Sequence, residues 1–336
     1  MATENVGDSA EKTISAAGVR RAAARLEGLA VRTPFIESDV LNETAGGRIL
    51  LKPEVLQHCG SFKFRGAYNL IAQLTPEERA RGVLAWSSGN HGQGVARAAR
   101  HFNTSAVIVM PTDAPQSKVE KVRGYGAEII PYDRYSEDRE AIGRALAEER
   151  RMALAPSYDH VAIIEGQGTV GLETAEDAAT MGAELDAFII CCGGGGLTSG
   201  CATIFEEVSP DTEIWIAEPE GFDETWASIR DGETYSVDIA KRTICDALAT
   251  PAPGALTLPI MRRLVKGGLS ISEDEVARAI VYAFKYLKLV LEPGGAVALA
   301  AILTGKFDAS GKTVALTLSG GNVDPPLFAS ILERFG

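Results

Sequence analysis

Short apolar runs alternate with longer amphipathic stretches along most of this 336-residue chain. The apolar runs, which are strand candidates, cover residues 49–52, 82–87, 105–110, 128–132, 187–192, 212–217 and 313–318. Stretches with helical periodicity cover residues 15–30, 63–73, 92–101, 118–125, 137–151, 168–181, 196–207, 273–288 and 295–303. Such alternation predicts an α/β fold with a mainly parallel sheet, and the length favours two domains.

The charge balance limits the class of partner. The chain carries a formal net charge of −12, so no basic excess exists to neutralise the phosphates of a nucleic acid or an anionic membrane. The first residues lack the features of a signal peptide, no apolar stretch is as long as a membrane span, and the five cysteines form no CxxC pair. We therefore expect a cytoplasmic protein that acts on a small molecule and has no nucleic-acid or membrane partner.

Lys63 stands between two aromatic residues, Phe62 and Phe64, and small residues follow at Gly66 and Ala67. Apolar neighbours that exclude water from an ammonium lower its pKa, and a neutral amine is a nucleophile toward carbonyl carbon. The pattern therefore points to a Schiff-base lysine. A lysine that lays its stem on apolar surface and keeps its charge in water fits the same residues.

Four consecutive glycines follow the apolar run at 187–192 and precede a helical stretch. They are Gly193, Gly194, Gly195 and Gly196, and Leu197 comes next. Glycine lets backbone amides crowd around an anion at a helix start, where the dipole favours negative charge. The run predicts a phosphate-binding loop. An NAD-binding Rossmann fold remains an alternative because Glu218 follows at a suitable distance, although the third glycine of the dinucleotide pattern is absent.

Two further loops carry short polar side chains directly after predicted strands. Their members are Ser87, Ser88, Gly89, Asn90, His91 and, after the last strand, Ser319. The carboxyl ends of parallel strands border the ligand crevice in open α/β sheets, so both loops are candidate ligand contacts. Each pattern taken singly is also ordinary turn chemistry.

Six motifs in order resemble the fold type II family of pyridoxal-phosphate enzymes, and within it the threonine/serine dehydratases, 3-hydroxyaspartate dehydratases and serine racemases. The motifs are SFKFRGA, SSGNHGQG, GQGT, GGGGLTSG, EPGGA and LSGGNVD, and the resemblance runs from about Arg20 to the end. It implies two open twisted, mainly parallel sheets with helices on both faces and pyridoxal phosphate (PLP) in the cleft between two domains. The expected domains are a large one, residues 1–52 plus 156–336, and a small mobile one, residues 53–155.

The resemblance also implies roles around the cofactor. Lys63 would hold the PLP aldehyde and remove the α-proton, Phe62 would stack beside the ring, and Asn90 would bond the ring's 3′-oxygen. The phosphate would lie against the amides of the glycine run at 193–196 and of Leu197. Ser319 would bond the pyridine nitrogen, and because a serine hydroxyl does not keep that nitrogen protonated, the ring would be a weaker electron sink.

Substrate contacts are implied in the same way. They are Ser87, Ser88, Gly89 and His91 for the α-carboxylate, with Arg139 and Tyr158 in the substrate pocket. Ser88 matches the serine that acts on the second face of the substrate in racemases, whereas in a dehydratase it would help to bind substrate or to process product. Arg139 reads equally well as a solvated helix residue, but in the site it would meet a β-carboxylate and favour 3-hydroxyaspartate over threonine.

Glu218 and Glu224, with the carbonyl of Phe222, match a divalent-cation site that some members carry. Oxygen ligands suit Mg²⁺ or Mn²⁺. The chain departs from the family pattern in having Phe222 and Glu224, which leaves Asp223 as a rival ligand, and two surface carboxylates would fit the same residues.

Together these features predict a PLP-dependent ammonia-lyase that converts threonine, serine or 3-hydroxyaspartate to a 2-oxo acid and ammonia. A serine or aspartate racemase on the same scaffold is the first alternative, and an NAD-binding Rossmann protein is the second. The expected assembly is a homodimer.

Overall fold

A computed structural model describes residues 13–87, 89–114, 116–238 and 241–336. The helices within these ranges are α1 Ala16–Leu26, α2 Asp39–Ala45, α3 Lys63–Gln73, α4 Pro76–Arg81, α5 Asn90–His101, α6 Gln116–Gly124, α7 Arg139–Arg150, α8 Val161–Thr180, α9 Gly196–Val208, α10 Glu224–Asp231, α11 Thr257–Leu264, α12 Glu273–Tyr282, α13 Pro293–Leu303 and α14 Pro325–Phe335. The strands are β1 Ile36–Glu37, β2 Arg48–Pro53, β3 Val83–Trp86, β4 Ala106–Pro111, β5 Glu128–Tyr132, β6 Ala153–Leu154, β7 Ala187–Cys191, β8 Glu213–Pro219, β9 Val265–Ile271 and β10 Thr313–Leu318.

The strands form two sheets. One has six strands in the order β1-β2-β10-β7-β8-β9, and the other has four in the order β5-β4-β3-β6. Every pair is parallel except β1 with β2. The predicted α/β fold with two mainly parallel sheets is confirmed. We call the units built on them the six-stranded lobe and the four-stranded lobe.

All seven predicted strands are present, and their central members are buried because helices cover both sheet faces. Three strands, β1, β6 and β9, were not predicted from the sequence. Strand β9 contains Gly267 and Gly268, and glycine is depleted in strands. The rings of Trp215 and Trp226 lie where side chains at these two glycines would point. Tertiary packing, not strand propensity, decides this element.

Helix α8 is longer than predicted because its glycines are packing sites. A Cβ at Gly166 would lie 2.6 Å from Cα of Gly66 in α3, and one at Gly168 would lie 2.7 Å from the carbonyl oxygen of Gly200 in α9. The close approach of three helices compensates for the low helix propensity of glycine. It also brings the start of α3, where Lys63 lies, near the start of α9.

The predicted helix at 273–288 is divided. After α12 the backbone forms a π-helical turn, Ala283–Leu287, and Lys288 then adopts a left-handed conformation with φ of 59°. Five helices were not predicted from the sequence, namely α2, α4, α10, α11 and α14. Among the described residues, no helix has the length and apolarity that crossing a bilayer requires.

Candidate active site

A cleft of about 970 Å³, counted with its open mouth, lies between the two lobes at the carboxyl ends of their strands. Residues directly after β3, β7 and β10 reach it, as expected for a ligand crevice in parallel sheets. Its lining includes the following predicted site residues: Phe62, Lys63, Ser87, Gly89, Asn90, His91, Arg139, Tyr158, Gly193, Gly194, Gly195, Gly196, Leu197 and Ser319. Residues more than 250 positions apart in the sequence therefore share one site.

Lys63 is the first residue of α3 and projects into the cleft. Its Nζ donates to the carbonyl oxygen of Ser157 at 2.8 Å and lies 5.2 Å from the centre of the Phe62 ring. Burial lowers the pKa of Lys63 from 10.5 to about 8. The amine is thus held at the cleft and is easier to deprotonate than a surface lysine.

The glycine run forms a tight loop between β7 and α9. Among the described residues, the amides of Gly193, Gly194 and Gly195 donate to no acceptor. The ring of Tyr158 packs on the loop, because a Cβ at Gly194 would lie 2.4 Å from it. Gly195 adopts φ of 88°, which glycine alone enters freely. The loop therefore offers unpaired amides at a helix start, which is the arrangement that binds an anion.

Asn90 begins α5 and joins a chain of polar side chains. Its Nδ2 donates to Oε1 of Glu292 at 2.5 Å, and its Oδ1 accepts from Asn322 Nδ2 at 2.7 Å. Lys121 Nζ in turn donates to Asn322 Oδ1 at 2.9 Å. Burial, together with the charge of nearby Asp246, raises the pKa of Glu292 to about 7. The amide of Asn90, at the start of α5 in the four-stranded lobe, is thus held by two partners from the six-stranded lobe.

Ser319 follows β10 and faces the cleft beside Cys191, the last residue of β7. Its carbonyl oxygen accepts from the amide of Phe62 at 3.3 Å, and the neighbouring Gly320 forms a bridge with Ser61. These backbone contacts tie the segment before Lys63 to the end of the central strand. The backbone segments that carry the Ser319 hydroxyl and the Lys63 amine are therefore held in place relative to each other.

The loop after β3 contributes Ser87, Gly89 and His91, while Ser88 lies outside the described residues. The Ser87 hydroxyl accepts from the Gly89 amide at 3.2 Å. His91 Nε2 lies 2.7 Å from the carbonyl oxygen of Ala155, so this nitrogen carries the proton. Burial lowers the pKa of His91 to about 3. The ring is neutral and its other nitrogen can only accept a hydrogen bond.

Arg139 is the first residue of α7 and lines the cleft. In the part of the chain that the structure describes, its side chain has neither an ion-pair nor a hydrogen-bond partner. A cation at a helix N-terminus is disfavoured by the helix dipole, so local helix energetics do not explain its presence. Tyr158 lies close by, and burial raises the pKa of its phenol to about 12.

The predicted metal ligands lie outside the cleft, behind the glycine loop. Glu218 and Glu224 are 1% and 5% exposed, and one oxygen of each has no partner among the described residues. Thr225, next to Glu224, donates to the carbonyl oxygen of Gly193 at 3.0 Å. Burial raises the pKa of both carboxyls, to about 7 for Glu224. Within the described ranges no three His, Cys, Asp or Glu side chains cluster as metal ligands.

Several cleft residues were not predicted as site residues. They are Trp86, Lys118, Ser157, Cys191, Thr198, Asp246, Ala247, Leu248, Ala249 and Glu292. Glu292 lies in the EPGGA motif. That motif supported the family resemblance, but it does not show that the Glu292 carboxylate reaches Asn90. No local sequence pattern indicates that Lys118 and Asp246 meet, because 128 positions separate them.

Comparisons with known proteins agree with this arrangement. A family model described as pyridoxal-phosphate dependent enzyme matches residues 26–320. An L-threo-3-hydroxyaspartate ammonia-lyase from Pseudomonas sp is 42% identical, over 94% of this chain and 97% of its own. The crystal structure of a threonine deaminase from T.th. is 40% identical with a TM-score of 0.87, covering 92% of this chain and 99% of its own. The crystal structure of a serine racemase from Dictyostelium discoideum is 36% identical with a TM-score of 0.85, covering 93% of this chain and 99% of its own.

Proposed function

Because this chain belongs to the pyridoxal-phosphate dependent enzyme family, we propose that it is an ammonia-lyase for a β-hydroxy amino acid, with 3-hydroxyaspartate preferred. Arg139 carries the choice of substrate. It is a cation in the cleft wall without a partner among the described residues. The second carboxylate of 3-hydroxyaspartate would pair with it, whereas the side chains of threonine and serine have no charge to do so.

The residues of the cleft fit PLP. The unpaired amides of the glycine loop suit its phosphate, Lys63 its aldehyde, Asn90 its 3′-oxygen and Ser319 its pyridine nitrogen. Phe62 lies beside Lys63 and offers a ring face. When bound, PLP supplies an electron sink for the negative charge that remains when an amino acid loses its α-proton.

Lys63 is the proposed base. At a pKa of about 8, about one amine in ten is neutral at pH 7, and that form accepts the α-proton at Nζ. The Ser157 carbonyl oxygen, 2.8 Å away, holds the amine in position. We therefore expect Lys63 to hold the cofactor and to move the α-proton.

The overall reaction breaks the Cα–H and Cβ–O bonds of the substrate. Lys63 takes the α-proton, and the β-hydroxyl leaves as water after gaining a proton. The enamine released from the site becomes an imine, and water then replaces its nitrogen. The products are a 2-oxo acid and ammonia, with no net oxidation or reduction.

The loop after β3 is the proposed seat of the α-carboxylate. Ser87 and Gly89 lie at its start, and the amides of the first turn of α5 follow. A helix N-terminus favours a carboxylate. The neutral ring of His91 has no second proton to donate, so we assign carboxylate binding to backbone amides and hydroxyls and not to this imidazole.

Racemisation on the same scaffold is the alternative, and the similarity to a serine racemase supports it. It requires a second acid on the face of the substrate opposite Lys63. Ser88 is the residue proposed for that role, and its position is outside the described residues. An NAD-binding Rossmann protein has no support from the family match.

The test is ammonia release from L-threo-3-hydroxyaspartate, L-serine and L-threonine, with chiral analysis of the unreacted substrate. We expect Arg139→Met to raise KM for 3-hydroxyaspartate at least about tenfold and KM for threonine less than about threefold. Arg150→Met, at the far end of the same helix, is the control. Equal losses for both substrates would reject the role of Arg139. Inverted substrate that forms faster than the 2-oxo acid would favour the racemase.

We also propose a divalent cation, Mg²⁺ or Mn²⁺, at Glu218 and Glu224, with the Phe222 carbonyl or Asp223 as a further ligand. The support is the two buried carboxylate oxygens without partners. Mg²⁺ added to chelator-treated protein should raise the melting temperature, and Glu218→Gln should abolish the increase. We also propose that the four-stranded lobe, near residues 53–155, moves as a unit. The homodimer and the cytoplasmic location remain predictions.

A further inference from the structure

Helix α6 of the four-stranded lobe reaches across the cleft to an irregular segment of the six-stranded lobe. Lys118 Nζ in α6 donates to Asp246 Oδ2 at 2.6 Å, and both residues line the cleft. One helical turn later, Lys121 donates to Asn322. Arg242, near Asp246, lies over the Tyr135 ring of the four-stranded lobe at 5.2 Å. Three contacts from separate residues thus join the lobes beside the site.

The Lys118–Asp246 pair is asymmetric in its exposure. The Lys118 side chain is 7% exposed, whereas that of Asp246 is 51% exposed. Within the described ranges, the Lys118 ammonium donates to no other acceptor. A buried ammonium without a hydrogen-bonded acceptor is costly, so Lys118 holds Asp246 firmly, although Asp246 lies on a segment with little regular structure.

Asp246 begins a short 3-10 turn, Asp246–Leu248, that touches the glycine loop. A Cβ at Gly193 would lie 3.2 Å from the carbonyl oxygen of Leu248, and Gly294 at the start of α13 contacts the same turn. Thr250, just after the turn, donates to Glu224 at 3.4 Å. The position of the turn therefore affects the wall of the proposed phosphate site, and Lys118 fixes that position from the other lobe.

We propose that Lys118 and Asp246 are a positioning pair that keeps the cleft closed around cofactor and substrate. The pair holds the turn at 246–248 against the glycine loop and holds α6 against the six-stranded lobe. Neither residue is assigned a proton transfer. The substrate part of this proposal rests on the proposed ammonia-lyase function, whereas the cofactor part rests only on membership of the family.

The experiment is a double-mutant cycle on the holoenzyme with Lys118→Met, Asp246→Asn and the double variant. Arg134→Met is the matched control, because Arg134 pairs with Asp113 at 2.7 Å entirely within the four-stranded lobe. The readouts are the rate of PLP release followed by its absorbance, the rate of trypsin cleavage after Lys241 and Arg242, and the kinetic constants for the preferred substrate. Far-ultraviolet circular dichroism confirms that each variant is folded.

We expect each single variant to release PLP about fivefold to tenfold faster and to raise KM by a similar factor, with kcat within about twofold. Trypsin cleavage should accelerate by the same order. The double variant should be no worse than the worse single variant, because one contact is lost only once and no buried ammonium is left unpaired. PLP release at the rate of Arg134→Met, or a double variant whose effects multiply, would overturn the proposal. If PLP release and trypsin cleavage change as expected but the enzyme does not turn over the substrate, the assumed substrate is rejected and the pair remains supported.

Discussion

Arg65, two residues after Lys63, is the centre of a buried ion network, and replacing it should destabilise the protein strongly. Its guanidinium donates to Glu54 at 2.8 and 2.8 Å and to Glu173 at 2.7 and 2.9 Å. Thr169 and the Val31 carbonyl oxygen complete the set at 3.2 Å. Arg65 and Glu54 are both 0% exposed. The network joins α3 to the 3-10 turn directly after β2 and to α8.

The expected cost of Arg65→Met follows from what remains behind. Glu173 keeps Lys52 at 2.8 Å, so its charge is still compensated. Among the described residues, Glu54 then keeps only the Thr33 hydroxyl at 2.8 Å and becomes a buried carboxylate without a cation. Breaking a buried pair in this way costs about 3–5 kcal/mol, a large share of the 5–15 kcal/mol by which typical domains are stable.

The assay is urea unfolding followed by tryptophan fluorescence, with Arg20→Met as control. Arg20 pairs with Glu207, but the two side chains are 46% and 54% exposed, so the control should lose less than about 1 kcal/mol. The double variant Arg65→Met with Glu54→Gln should recover part of the loss, because no buried charge remains. A loss below about 1 kcal/mol in Arg65→Met, or no recovery in the double variant, would refute the reasoning.

Three further predictions concern the cleft. Burial lowers the pKa of Lys63 from 10.5 to about 8, so the native cofactor-free protein binds fewer protons than the unfolded chain between these values. Lys63→Met should therefore stabilise that protein by up to about 3 kcal/mol at pH 7, a gain that urea unfolding should show fading between pH 8 and 10.5. The pKa of Glu292 is raised to about 7, so native stability falls as pH rises through that value. Glu292→Gln should therefore stabilise the cofactor-free protein at pH 8.5 but not at pH 4. Gly194→Ala places a Cβ 2.4 Å from the Tyr158 ring and should weaken PLP binding at least about tenfold by absorbance titration, whereas Gly124→Ala, with open space around it, should not.

The sequence predicted the parts of the fold that depend on local patterns. Apolar runs at 128–132 and 313–318 match β5 and β10 to the residue, and the helix predicted at 63–73 is α3. Local pattern misled where glycine serves packing, as in β9 and in the first turns of α8, because the compensating contacts come from distant segments.

Motifs in the sequence identified most of the cleft but not the contacts between its residues. The glycine run and Lys63 are recognisable from residue types that only certain chemistry needs. The link from Asn90 to Glu292, and the lack of a partner for Arg139 within the described ranges, are visible only once the chain is folded. The positions of the metal candidates behind the glycine loop, and not in the cleft, likewise follow from packing.

The sequence alone therefore determined the fold class, the family resemblance and the residue types available for chemistry, because these follow from short-range pattern and composition. The tertiary structure decided which of these residues meet and how their charges are set. It lowers the pKa of Lys63, leaves His91 neutral and pairs Lys118 with Asp246. Desolvation and partner geometry depend on segments that lie 64 to 128 positions apart, and no local pattern in the chain records them.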